Sequence, residues 1–115
     1  MKIAQIAPIA ESVPPRLYGG TERIVSYLTE ELVRQGHDVT LFASGDSTTA
    51  AELVPITETA LRLNPLIVDA IPHHMILLDE VARRAHEFDV LHFHIDLLHA
   101  PLTRSFANKT LTTLH

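Results

Sequence analysis

The feature that most constrains this chain is an alternation. Short apolar runs of strand length take turns with longer stretches of helical period, and the switch recurs from one end to the other. Ile3-Ala4-Gln5-Ile6-Ala7 is apolar, stops at Pro8 and reads as a buried first strand. A loop over residues 9–19 follows, stiffened by Pro14-Pro15 and turned by Gly19-Gly20. The spacing then predicts a helix from Thr21 to Gln35. Its expected buried stripe is Ile24, Leu28 and Leu32 flanked by Val25 and Val33, with Glu22 favoured in the first turn by the helix dipole and Gly36 as a left-handed cap.

Asp38–Ala43 reads as a second strand closed by Ser44-Gly45-Asp46-Ser47, and Glu52–Ile56 as a short third strand that Pro55 places at a sheet edge. Residues 57–71 carry no decisive pattern. Pro72 opens a second helix with Met75, Leu78, Val81, Ala82 and Ala85 inward. Asp89–His94 is a further strand, Leu98–Phe106 a helix and Thr110–Leu114 a last strand. The phrase Asp-Val opens a strand twice, at Asp38-Val39 and Asp89-Val90, as a recurring connection from helix to strand.

Strands alternating with helices imply an α/β, doubly wound, mostly parallel sheet with helices on both faces. The first three strands run outward from the centre. The long stretch 57–88 carries the chain back, and the strand at 90–94 lies on the other side of the first. That is the switch point at which such sheets bind ligands, beyond the carboxyl ends of the strands. A doubly wound domain ordinarily continues after a fifth strand, so the expectation is one incomplete domain over residues 1–115, with a second domain absent.

Composition narrows the function. The 115 residues are 46% hydrophobic and 20% charged, with a net charge of −5. Nucleic-acid binding through a basic surface is not expected. Without cysteine there is neither a disulfide framework nor a thiolate metal site. No secretory signal and no run of membrane-spanning length is read at either end. Eight histidines, most of them between His73 and His99, are many for this length.

Two loops carry the candidate chemistry. Gly19-Gly20-Thr21-Glu22 stands at a helix entrance, where a glycine backbone comes close to a phosphate and free N–H groups receive it. Arg16 and Arg23 add charge, and Tyr18 can stack on a ring. A plain strand-to-helix turn explains the same glycines. The run is neither G-x-G-x-x-G nor a Walker loop, so Asp46 as a ribose-binding acid of a nicotinamide site is disfavoured. The second loop is His92-Phe93-His94-Ile95-Asp96. His94 ends the strand, and an ordinary imidazole there could exchange protons or bond a substrate hydroxyl. His92 and His94 share a strand face, as a zinc pair could, or His92 simply packs in the sheet. Asp96 either orients a hydroxyl or caps the next helix. His115 follows the fifth strand and faces the same crevice. His37 and His86 are expected in solvent.

Together Met1–Ala4, Tyr18–Arg23, Leu32–Phe42, Phe88–His94 and Thr112–His115 resemble the N-terminal half of a family 4 (group 1) glycosyltransferase of the GT-B fold, over nearly the whole chain. The resemblance implies a Rossmann-like, acceptor-side domain facing a donor-binding C-terminal domain that carries paired glutamates. It implies Gly19 and Gly20 near the donor diphosphate and His94 and His115 as the catalytic-site histidines, while the residues themselves put Arg16, Tyr18, Thr21 and Asp96 among the substrate-binding candidates. It further implies a retaining reaction without metal or other cofactor, a nucleotide-diphosphate sugar as donor and a carbohydrate or lipid-linked acceptor. A homodimer is one admissible assembly. The cell compartment implied is the cytoplasm, including the inner face of the membrane. In many relatives the acid directly follows the second histidine. Here Ile95 intervenes before Asp96. A non-catalytic module binding a phosphorylated ligand and a metal hydrolase built on His92, His94 and Asp96 stand as the alternatives.

Overall fold

The computed structural model describes all 115 residues. Five strands, β1 (Lys2–Ile6), β2 (Asp38–Ala43), β3 (Glu52–Pro55), β4 (Val90–Phe93) and β5 (Thr110–Thr112), form one sheet in the order β3-β2-β1-β4-β5. Every pairing is parallel. Helices α1 (Gly20–Arg34) and α2 (Ile71–Arg84) serve its two faces. A larger core gathers Ala4, Ile6, Phe42, Leu91 and Phe93 with Leu77, Leu78 and Val81 of α2. A smaller one joins Ala7, Leu41 and Ala43 to Val25 of α1. No helix is long and apolar enough to cross a membrane.

The expected topology holds, with β3 at an edge and β4 beside β1 on the far side from β2. The two Asp-Val phrases have a shared cause. Asp38 N–H donates to the Met1 carbonyl and Asp89 N–H to the Lys2 carbonyl, so each aspartate seats its strand beside the start of β1. The Asp89 carboxylate also accepts the Lys2 N–H at 2.8 Å.

Three local expectations are corrected. Helix α1 turns Glu22, Val25, Ser26 and Thr29 inward and leaves Ile24 exposed, with Leu28 and Leu32 only half-buried. The inward stripe is mostly polar, so a reading based on apolar periodicity places the helix one residue out of phase. In α2, Leu77 and His74 are buried while Ala82 is exposed. Residues 98–106 form two short 3₁₀ turns, Ala100–Leu102 and Arg104–Lys109, instead of a continuous helix. Pro101 removes a backbone donor, and Phe106 leaves the helical region at φ −131°.

Candidate functional site

The carboxyl ends of the strands open onto a rim assembled from four loops. The β1–α1 loop is held by its neighbours. Val13 N–H donates to Ser47 Oγ at 2.9 Å, and Thr48 N–H to the Val13 carbonyl at 2.8 Å. Leu61 N–H and Arg62 N–H reach the carbonyls of Ile9 and Ala10. His74, at the start of α2, donates from Nδ1 to the Ala70 carbonyl and receives the Ile9 N–H at Nε2. That ring is therefore a structural tie between α2 and the loop.

The two glycines differ. Gly19 has φ 134°, and a Cβ there would stand 2.6 Å from Glu22 Oε2 and 3.0 Å from Pro15 Cβ. Gly19 is thus required by the fold. Gly20 begins α1, and a Cβ there would meet nothing within 4 Å. Its open space lies at a helix N-terminus with no side-chain cap, where unpaired N–H groups and the dipole favour an anion. Glu22 lies against Gly19, only 6% exposed. Burial raises its pKa; a hydrogen bond from its own backbone N–H offsets part of that rise, and the Glu11 carboxylate adds to it. The sequence places Glu22 in the glycine motif and the first helical turn; its burial under that turn carries no sequence signal.

On the other side of the rim, Gln5 pairs with His92 in the β1–β4 register. His92 and His94 alternate onto one face of the sheet, so the Gln5 amide lies between two imidazoles. Gln5 Nε2 is 3.5 Å from His92 Nδ1, and Gln5 Oε1 is 2.7 Å from His94 Nε2. His92 Nε2 meets Thr113 Oγ1 at 2.7 Å, and His94 Nδ1 meets His115 Nε2 at 3.1 Å. The ring centroids of His92 and His94 are 4.0 Å apart, and those of His94 and His115 are 5.4 Å apart. Desolvation, with His92 and His115 adding to it, pushes His94 down to about 3. The near-neutral proton exchanger expected at His94 is accordingly a neutral ring, 2% exposed. His92 is lowered by burial and then by His115. His99 is a core histidine, stacked on Phe93 at 4.1 Å and bonded to Thr112 Oγ1.

A cavity of 260 Å³ brings Thr21, His94, Asp96 and His115 together with Pro8, His74 and Ile95. Asp96 stands at φ 55°, a left-handed conformation that aspartate tolerates, and its Oδ1 accepts the His115 N–H at 3.5 Å. Arg16 and Tyr18 line a different, larger cavity of 510 Å³ with Glu11, Leu17, Arg62 and Leu63. Leu17 and Tyr18 are 82% and 77% exposed, and Glu11 pairs with Arg62 at 2.7 Å. Of the expected site residues, Thr21, His94, Asp96 and His115 therefore share one cavity, Arg16 and Tyr18 line the other, and Gly19 and Gly20 line neither. No three histidine or carboxylate side chains converge to hold a metal ion. The ring nitrogens of His92 and His94 are engaged by Gln5, Thr113 and His115 instead.

The family model described as Glycosyltransferase Family 4 matches residues 18–115, from the glycine turn through both site histidines. The chain belongs to glycosyltransferase family 4. Among solved structures it is similar to AviGT4, a glycosyltransferase involved in avilamycin A biosynthesis, at 24% identity and a TM-score of 0.64. That match covers 99% of this chain and 31% of AviGT4. It is also similar to sucrose-phosphate synthase from Thermosynechococcus elongatus, at 17% identity and a TM-score of 0.54, over 99% of this chain and 32% of that one. No curated protein matches. The family 4 chain thus has the fold of the N-terminal half of GT-B enzymes and spans about a third of the length of these two.

Proposed function

We propose that this family 4 chain is the acceptor-side part of an enzyme that moves a sugar from a nucleotide-diphosphate sugar to a hydroxyl acceptor. The observation that carries the reading is the polar cavity of Thr21, His94, Asp96 and His115, beside an uncapped helix N-terminus whose first residue, Gly20, has open space around it. The helix terminus and the backbone at Gly19 and Gly20 receive the donor diphosphate and stabilise the charge that grows as it leaves. His94 and His115 stand at the transferred sugar, and Asp96 fixes the His115 backbone. Arg16 and Tyr18, in the neighbouring cavity, contact the acceptor.

In the reaction the acceptor oxygen bonds to the anomeric carbon as the bond to the diphosphate oxygen breaks. The diphosphate leaves with the electron pair, and the acceptor proton passes to it. This route retains the anomeric configuration, needs no metal ion or other cofactor, and matches a site in which the buried histidine is neutral. A second half supplies most of the donor contacts, so the 115 residues alone transfer nothing. The reaction takes place in the cytoplasm, or at the inner face of the membrane when the acceptor is lipid-linked.

The test is a panel of sugar nucleotides offered to the full-length protein and to the 115-residue chain, with and without EDTA. Transfer by the full-length protein alone, unaffected by EDTA and retaining by NMR of the product, is the expected result. A full-length protein that neither transfers nor hydrolyses any donor sinks the reading.

A further inference from the structure

Gln5 is an anomaly in its strand. It is the one polar side chain in the run from Ile3 to Ala7, it is 1% exposed, and it lies in the centre of the sheet between two histidines. A buried primary amide is costly unless its donor and acceptor ends are both satisfied. Here the two ends meet different rings, with Oε1 at His94 Nε2 and Nε2 at His92 Nδ1.

A carbonyl oxygen only accepts, so His94 Nε2 carries the hydrogen. A neutral imidazole has a single N–H, which leaves His94 Nδ1 with a bare lone pair. The hydrogen in the His94 Nδ1···His115 Nε2 contact then belongs to His115. On the other side the Gln5 amide donates to His92 Nδ1, so His92 Nε2 carries its hydrogen and donates to Thr113 Oγ1. All four contacts run in one direction, from His115 to Thr113, and Gln5 is the one member of the relay between the two buried histidines whose donor and acceptor ends cannot interchange by moving a proton.

We propose that Gln5 is a positioning residue that locks His94 as its Nε2–H tautomer, so that Nδ1 is a permanent hydrogen-bond acceptor where the ring meets His115 at the wall of the polar cavity. Desolvation keeps the ring neutral, so the lone pair persists through the physiological range. Such an atom accepts from a hydroxyl or an N–H and repels a carbonyl or carboxylate oxygen. The His115 N–H takes that lone pair, so the locked tautomer fixes the orientation of the His115 ring at the cavity wall. The use of this His94–His115 pair in sugar transfer rests on the transferase reading; the tautomer does not.

The test is two-bond ¹H–¹⁵N correlation of the imidazoles in the ¹⁵N-labelled 115-residue chain between pH 5 and 8. The expected His94 pattern is a protonated Nε2 and an unprotonated Nδ1, unchanged across the range. Gln5→Met removes both ends of the amide at similar volume and gives a tautomer mixture at His94. Gln5→Glu keeps an oxygen at the same reach and retains the Nε2–H form. Thr113→Val disturbs His92 alone. A wild-type His94 carrying its hydrogen on Nδ1 overturns the proposal, as does an unaltered pattern in Gln5→Met. If Gln5→Met does not fold, the wild-type and Gln5→Glu spectra decide: Nδ1–H in either overturns it, and Nε2–H in both supports it. Loss of the transferase reading would show separately in the donor panel, with the tautomer intact.

Discussion

At the scale of single residues, two adjacent glycines are separable. Gly19→Ala forces a Cβ against Glu22 Oε2 at a backbone angle that L-residues avoid. It should cost about 1–3 kcal/mol in urea unfolding. Gly20→Ala adds a methyl to open space, so it should leave stability within about 0.5 kcal/mol while weakening binding of nucleotide-sugar by the full-length protein. Equal destabilisation by the two changes would remove the distinction. The histidines predict a pH dependence of the same order. His94 falls from an ordinary 6.5 to about 3 in the folded chain, and His92 and His99 are lowered too. Below about 6.5 the unfolded chain takes up protons that the folded chain refuses, so stability is full above that pH and falls as pH drops towards 3. The slope approaches about 1.4 kcal/mol per pH unit for His94 alone. Glu22, raised by burial, has the opposite sign just above pH 4.5, where the folded chain holds the extra proton and offsets part of the loss. Urea midpoints at pH 7.5 and 5.5 should therefore differ, with the lower value at pH 5.5; equal midpoints would contradict the lowered histidines.

At the scale of elements, what was legible followed from burial of apolar side chains on two faces. The runs at Ile3–Ala7, Asp38–Ala43 and Asp89–His94 are mostly apolar, and the strands lie there within a residue or so. Helix α1 was legible in extent but not in rotation, because Glu22, Ser26 and Thr29 occupy positions that pattern reading assigns to solvent. Residues 98–106 carry enough apolar residues to imitate a helix, and only Pro101 hinted otherwise. Within the site, the glycine turn, His94, Asp96 and His115 could be named from spacing and resemblance. Gln5 was hidden in an apolar run, and the signal was its lone polarity at mid-strand. The buried face of α1 also holds a flaw that makes a prediction. Thr29 Oγ1 is fully buried and has no partner. Thr29→Val keeps the shape and removes the stranded hydroxyl, so it should raise stability by about 1 kcal/mol. Val25→Ala, two places from the first turn and wholly buried, should lower it by about 2 kcal/mol. Melting curves of the two variants moving in the same direction would mean that α1 packs through a different face.

At the scale of the whole molecule, the parallel sheet separates binding from stability along its own strands. The carboxyl rim holds both cavities with the predicted site residues. The amino rim holds charge that has nothing to do with them. There Arg84, at the end of α2, reaches Glu87 at 2.9 Å and Glu52 at 3.6 Å, and its guanidinium stands 5.8 Å from the ring centroids of both Phe42 and Phe88. It thus joins α2 to edge strand β3 and covers the aromatic end of the larger core. Arg84→Ala removes stacking as well as charge and should cost about 1–2 kcal/mol in unfolding. If the full-length protein transfers sugar as proposed, Arg84→Ala should leave kcat and KM at wild-type values below the melting transition, because its partners Glu52, Glu87, Phe42 and Phe88 line neither carboxyl-rim cavity. His115→Ala should do the reverse. Its ring stands at the surface, so the chain should stay folded, with a loss of about 1 kcal/mol for the acceptor left without a donor at His94 Nδ1. Loss of the donor that meets His94 Nδ1 should lower kcat/KM by about 10- to 100-fold. Both variants measured in one set of melts and rate assays test the separation directly. Arg84→Ala slowing transfer in a fully folded enzyme, or His115→Ala unfolding the chain, would mean that the two rims are coupled through the sheet.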